Sequence, residues 1–565
     1  QGFRNEGSRG QTGGEPEARR RRSQRVRRRG HGRSAYTWQG AAGAQLETSA
    51  RQVPEEAWEV LTHPLTDYYD GQGSAPDPSP EILDEWTHIL GYACSVAIDR
   101  SQSRAVQARA ARLIFLLPHM ILGERGKKAL STDEIRHRMH DFWAGRWGRL
   151  LPQPVTTDTV QTYQDTDVPA AENRAPRQPA PEAVTGPDPH TLLAAELLEQ
   201  GDKGRAARVL VSPGLAERSW ASFVQLWHYH PPGSGAAPEG SGHHRGREER
   251  DALNTTAADQ LPADSLIKIL RQSGMHGAGG PSRWRKGLLV GLLGQPNAAQ
   301  AWTQFMTLLS QGEVPLDVMH ALGWCTLHGL LKDKTKTEVR PLGVGEYFRR
   351  LIASTLLRAR RPDFHHYFFG AAAADAGSTR RPYQFAVGIK AGADMLVHAV
   401  RLLLEADPDL VAIKLDASNA FNSVSRTPMM NELQKHFPGL APFFERMYLD
   451  FPEGDKGPRI LFGCKDGKVR VIWSREGTTQ GDPGGPLLFA LAVHPALEEI
   501  QTKLGNQAYV LAYLDDVFLL VPASQTATSL QVAEEALHSK CGLKIKRSKC
   551  KIYDPAGDRV RGPEF

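Results

Sequence analysis

The chain has 565 residues, 40% of them hydrophobic and 23% charged, with a formal net charge of +6 and a mean hydropathy of −0.42. That length predicts several domains, and the composition is that of a soluble protein. No apolar run approaches the ~20 residues of a membrane helix, because "LIFLLPHMIL" is interrupted by Pro118 and His119. The five cysteines show no CxxC and no zinc-like spacing with histidine, which excludes a disulfide framework or a zinc finger and fits a reducing compartment.

The charge is uneven. Residues 1–35 hold eleven arginines against Glu6, Glu15 and Glu17, a net of +8, so the remainder nets −2. The basic character is therefore a tail, "EARRRRSQRVRRRGHGR", of the kind that binds nucleic acid or directs nuclear import. Residues 1–80 read as this disordered, Arg-rich tail. From 81 to 151 apolar residues recur three and four apart, as in "EILDEWTHILGYACSVAIDR", which predicts helices. Residues 152–190 are rich in Pro, Thr and acid, a linker. Residues 191–260 read as a helical segment carrying a flexible Gly/His insert, "PPGSGAAPEGSGHHRGREER". Beyond about residue 261 the inserts shorten and the pattern becomes globular.

The chemistry lies in that last block. "LVAIKLDASNAFNSVSR" is an apolar strand ending in Asp416, with the aromatic Phe421 five residues on. "EGTTQGDPGGPLLFALAVHPAL" is a Gly/Pro-rich loop entering an apolar helix. "LAYLDDVFLL" sets Asp515 and Asp516 between two apolar runs. Asp is depleted in strands and enriched in turns, so this segment predicts a hairpin with both carboxylates at its tip. Burying neighbouring carboxylates costs several kcal/mol unless a positive group pairs with them, and a carboxylate-rich oxygen site suits Mg²⁺. A basic, strand-like "CGLKIKRSKCKIY" follows.

In order and content these segments resemble the palm of reverse transcriptases, in a style closer to non-LTR (LINE-type) retrotransposon enzymes than to retroviral ones. "DASNAF" is similar to the first palm motif, "QGDPGGPLLF" to the second and "YLDD" to the YxDD hairpin, while "GLKIKRSKC" is similar to the segment that follows it. "KDKTKTEVRPLGVGEYFRRLIAS" resembles the fingers, and "QFAVGIKAGADMLVHAVR" the template-side segment. The resemblance spans roughly residues 260–555. It implies an α+β right-hand polymerase, an antiparallel sheet with packed helices, preceded by the helical region and the disordered tail. Fingers and the N-terminal part of the domain would occupy 261–400, and the palm 401–560. The chain ends about a dozen residues after the basic segment, so the family's helical thumb is expected to be absent.

The resemblance also implies roles. Asp416, Asp515 and Asp516 would hold two Mg²⁺ ions, or Mn²⁺, for in-line transfer of a nucleotide to a primer 3′-OH. Phe421 would stack under the incoming sugar and exclude a 2′-OH. The backbone of Ala417, Ser418 and Asn419 would donate to the triphosphate. Gln480 and Gly481 would pack on the nascent base pair, with glycine allowing close approach. Arg340 and Lys332, or less directly Lys334 or Lys336, would meet the triphosphate. Lys549 would give a proton to the leaving pyrophosphate, with Lys544, Lys546 and Lys551 competing for that role on spacing. Arg349 and Arg350 would touch template phosphates or open a helix.

The function expected is therefore an RNA-directed DNA polymerase of a retrotransposon, in a truncated or degenerate copy. Its partners would be an RNA template, a DNA primer and dNTPs, with no membrane, in the nucleus or cytoplasm. The alternatives are a non-catalytic nucleic-acid-binding remnant and an RNA-dependent RNA polymerase. Against the last, that class usually carries GDD in the hairpin and a second Asp where Phe421 stands.

Overall fold

The computed structural model describes residues 52–68, 75–123, 130–152, 160–162, 195, 214–231, 258–274, 278–332, 338–369, 382–449, 457–557 and 559–560. Strand alternation builds its centre. In β5 (Leu410–Leu415), Leu410 and Ala412 join one apolar cluster, while Val411, Ile413 and Leu415 join another. Successive side chains of a strand point to opposite faces, so an unbroken apolar run is what a strand covered on both sides requires. β5 pairs antiparallel with β9 (Asp516–Pro522), and β9 with β8 (Tyr509–Tyr513). The edges are β10 (Lys551–Tyr553) and β4 (Tyr383–Gln384), giving the order β10-β5-β9-β8-β4.

The helix Gly392–Ala406 covers one face of this sheet through Leu396, Val400 and Leu403. The helices Gly485–Leu504 and Thr526–Cys541 cover the other. A second sheet has the order β1-β7-β6-β2-β3, where β1 is Val160–Thr162. Its strands β2 (Cys325–Leu331) and β3 (Val339–Gly345) form a hairpin, and β6 (Arg459–Gly463) and β7 (Val469–Trp473) form another. The expected α+β architecture is thus present, with the predicted palm sheet at its centre.

The N-terminal helices are built into this body. Residues 47–565 form one unit, and one apolar core runs from Val53 to Leu543. Helix α1 (Leu83–Ile98) lies along helix α2 (Pro296–Gln311), and a Cβ on Gly91 would come within 2.8 Å of the Ala298 Cβ. That approach needs glycine. An aromatic stack continues the seam: Trp86 to Trp284 at 5.6 Å, Trp284 to Phe348 at 5.1 Å and Phe348 to Phe115 at 5.5 Å between centroids. The indole N–H groups of Trp86 and Trp284 donate to the carbonyls of Leu288 (2.7 Å) and Ile114 (3.0 Å). Buried rings thus keep their polar handles paired.

The expected disordered tail over 1–80 is corrected in part. Residues 55–60 and 65–68 are short 3₁₀ turns whose Trp58, Leu61, Leu65 and Tyr68 are buried. Four large apolar groups within about a dozen residues can repay ordering even in a polar stretch. The Arg-rich run itself lies outside the described residues. Within the expected linker, β1 (Val160–Thr162) is ordered as an edge strand pairing parallel with β7. One helical run, Arg104–Leu122, is long and apolar enough to cross a membrane, but Leu113, Ile114, Phe115 and Leu117 are buried inside the protein.

Candidate active site

The Asp-Asp segment forms a hairpin of a particular kind. Tyr513 pairs with Asp516, so the turn residues are Leu514 and Asp515, and Asp516 already belongs to β9. Leu514 adopts φ +57°, a left-handed conformation that costs a non-glycine residue roughly 1–2 kcal/mol. Its N–H is held by the side-chain oxygen of Gln384 at 2.9 Å. Gln384 is fully buried, its oxygen also accepts the Ala386 N–H at 3.3 Å, and the Phe385 N–H donates to the Ala512 carbonyl at 2.8 Å. The segment expected to lie on the template side therefore clamps the turn that presents Asp515.

Asp416 follows β5 directly. Its carbonyl accepts the Lys546 N–H at 2.8 Å, and the Ser418 N–H donates to the Lys544 carbonyl at 2.9 Å. The basic segment is thereby laced to the first motif. The Ser418 N–H is engaged there, which removes it from the expected triphosphate donors.

Asp416 and Asp515 line one cavity of about 490 Å³, a size usual for small-molecule sites. Phe421, Ala417, Asn419 and Gln480 line it as well. Arg340, Lys332 and Lys549 supply cations to the same cavity. Phe421 is half-buried and stacks on Phe489 of the helix Gly485–Leu504, with centroids 4.5 Å apart and planes 18° from parallel. A ring so backed is rigid. Lys332 directly follows β2 and bonds Glu338 at 2.7 Å. Burial presses its ammonium pKa down, but hydrogen bonds from Glu338 and Tyr229 outweigh this and raise it, so it is held charged. Arg340 is exposed on β3, and Lys549 is exposed at the end of a short 3₁₀ turn. Lys334 and Lys336 lie outside the described residues.

Two expected residues stand elsewhere. Asp516 does not line the cavity; its carboxylate pairs with Lys414 at 2.8 Å. Alternation explains this, because Asp516 shares a sheet face with Phe518, over whose ring Lys414 Nζ lies at 5.9 Å. Gly481 has φ +106°, and a Cβ there would meet the Gly343 carbonyl at 2.5 Å. Close approach to β3 by itself requires glycine here. The neighbouring Gln480 carbonyl accepts the Gly343 N–H at 2.9 Å.

The arginine pair is resolved too. Arg349 is 1% exposed and bonds the Gly323 carbonyl at 2.9 Å, the Tyr448 hydroxyl at 2.7 Å and Asp482. It is a buried anchor for the second motif and has no route to a template phosphate. Arg350 donates to the Ala278 carbonyl. Sequence reasoning missed Arg426, a buried guanidinium that holds the carbonyls of Gly477 (2.9 Å) and Ser474 (2.6 Å) and so fixes the approach to the second motif. Burial pulls its pKa down to about 10. Lys414 was visible as a lone basic residue in an apolar strand.

The carboxylates interact electrostatically. Partial burial raises the Asp515 pKa, the negative charges of Asp516 and Asp416 raise it further, and Lys414 opposes them. The Lys414 pKa is in turn raised, first by its bond to Asp516 and also by Asp416 and Asp515. An ammonium thus sits amid three carboxylates, where a divalent cation would find the same field. The donor chemistry fits such an ion through Asp416 and Asp515. Among the described residues no three His, Cys, Asp or Glu side chains converge tightly enough to hold a metal ion.

Residues 334–557 match the family described as reverse transcriptase (RNA-dependent DNA polymerase). No curated protein matches the chain. Among solved structures it is similar to apo telomerase from Candida tropicalis truncated from its C-terminal domain, at TM-score 0.29 and 11% identity over 41% of this chain and 50% of that one. It is similar also to telomerase of the same organism in complex with a TWJ fragment of telomeric RNA, at TM-score 0.30 and 11% identity over 42% of each chain. The chain spans half or less of the length of those two telomerase chains.

Proposed function

Taking residues 334–557 as a reverse-transcriptase domain, we propose that the protein is an RNA-directed DNA polymerase of a non-LTR-type retrotransposon. It adds dNTPs to a DNA primer on an RNA template inside the cell, in the nucleus or cytoplasm. One observation carries this reading. Asp416 and Asp515, from distant stretches of chain, meet in a single cavity whose other residues include the cations Lys332 and Arg340 and the aromatic Phe421.

Each group has work that suits it. Arg340 and Lys332 bind the triphosphate, and the Ala417 and Asn419 turn lies beside it. Phe421, rigid on Phe489, closes the space a 2′-hydroxyl needs. Lys549 protonates the leaving pyrophosphate. Asp416 and Asp515 would hold Mg²⁺ or Mn²⁺, and Asp516 would add a carboxylate if released from Lys414. The bound ions supply stabilisation of the attacking and leaving oxygens.

A second reading, nucleic-acid binding without synthesis, is favoured by the pairing of Asp516 with Lys414. Primer extension on an RNA template with Mg²⁺ separates the two. The polymerase reading expects extension with dNTPs well above rNTPs, and a loss of at least a thousandfold in Asp515→Ala with an unchanged unfolding midpoint. Salt-sensitive RNA binding with no extension by the parent protein would establish the second reading.

A further inference from the structure

The cavity has a wall that lies outside the matched polymerase residues. Residues 214–230 run along the edge of the β2–β3 hairpin. The Leu331 N–H donates to the Gly214 carbonyl at 3.0 Å, and the Ala216 N–H donates to the Gly329 carbonyl at 2.8 Å. The helix Trp220–His228 then packs Phe223 and Leu226 onto Leu327 and Phe462 of the second sheet. Its C-terminal cap is Tyr229, which enters the cavity.

Tyr229 joins the two sides of that cavity. Its carbonyl accepts the Asn419 side-chain amide at 2.6 Å. Asn419 stands at φ +50°, and its own side-chain oxygen accepts the Asn422 amide at 2.8 Å. The Lys332 ammonium lies over the Tyr229 ring, 5.6 Å from its centroid. One residue therefore fixes the spacing between a fingers cation and the turn after Asp416. The following His230 is seated against the palm, where burial and then the nearby Arg426 pull its pKa down to about 4, so it stays neutral. The cation–π contact and the Asn419 hydrogen bond hold Tyr229 between the two sides of the cavity.

Resting on the polymerase reading for the identity of the cavity's ligand, we propose that Tyr229 is a positioning residue for the triphosphate of the incoming nucleotide. It acts through Lys332 and Asn419, and so makes the segment 214–230 part of the nucleotide site.

The test uses the full chain and equilibrium calorimetry with Mg·dTTP and, separately, with inorganic triphosphate. Tyr229→Ala is expected to weaken both about tenfold, and Tyr229→Phe, which keeps the ring, about two- to threefold. The unfolding midpoint of Tyr229→Phe should match the parent, which separates positioning from folding. In extension assays the loss should fall on KM for dNTP, with kcat within about twofold. Unchanged or tighter triphosphate binding by Tyr229→Ala would overturn the inference, the tighter result meaning that the ring plugs the site. A parent protein that binds neither probe would overturn it as well. A parent that binds both but extends no primer would sink the polymerase reading alone and leave the role of Tyr229 standing.

Discussion

Arg349–Asp482 and Lys414–Asp516 are both cation–carboxylate pairs, and they lie in the same domain. The side chains of the first pair are 2% and 1% exposed, and those of the second 41% and 51%. The first is also bonded to Tyr448 and Gly323. Burial makes a pair obligatory, because either partner left alone carries an uncompensated charge out of water. Exposure makes it exchangeable, since solvent can replace either partner at little cost. The domain thus keeps one acidic group as a fixture beneath the second motif and another on loan to a lysine beside the cavity.

The sharpest way to break this comparison is to remove each acid or its partner in turn. Asp482→Ala should destabilise the protein by about 3–5 kcal/mol, because Arg349 is left buried and unpaired; urea unfolding measures it. A shift below about 1 kcal/mol would mean that Arg349 finds another acceptor.

Glu346 offers an intermediate case. It is fully buried and accepts from the Ser282 N–H at 2.7 Å and from the Ser282 hydroxyl. Burial pushes its pKa up to about 7, against the pull of Ser282, Arg350 and Arg349. The ordinary glutamate value is about 4.3. The folded state thus holds a proton that the unfolded state releases. Its stabilising contribution is complete below the ordinary range and is lost as pH rises through about 7. At about 1.4 kcal/mol per unit the loss is of order 4 kcal/mol. Glu346→Gln should flatten the stability profile between about pH 4.5 and 7.5, and a parent profile already flat there would refute the assignment.

The smallest effect belongs to the exposed pair. Lys414→Met should cost less than about 1 kcal/mol of stability. It should also let Mg²⁺ raise the unfolding midpoint at lower concentrations than in the parent, because no ammonium then competes for the carboxylates. A large destabilisation would place this pair with Arg349–Asp482 instead.

The sequence was most informative where chemistry restricts residue type. Asp416, Asp515, Phe421 and Arg340 meet in one cavity because each belongs to a short motif at a strand end or turn, and such positions are set by local spacing. Asp516 was placed at the turn tip, but the pleat sends it to the Lys414 face, and parity across two strands 100 residues apart is not readable without their register. The clamp that Gln384 places on the hairpin turn is not readable in the sequence, because its partner, Leu514, lies 130 residues away. Gly481 needs glycine for Gly343, another distant partner. Tyr229 belongs to no motif at all. In residues 53–68 the polar average hid Trp58, Leu61, Leu65 and Tyr68, which is a limit of composition as a guide to order.

The aromatic seam from Trp86 through Trp284 and Phe348 to Phe115 sets where this chain can be cut. A fragment beginning at residue 334 would strip Phe348 of every one of those neighbours and leave that face of the fragment greasy. It would be expected to clump or to recruit foreign protein, whatever the state of its aspartates. Silence from such a fragment in a biochemical assay would report on the missing half of its core and leave the catalytic question open.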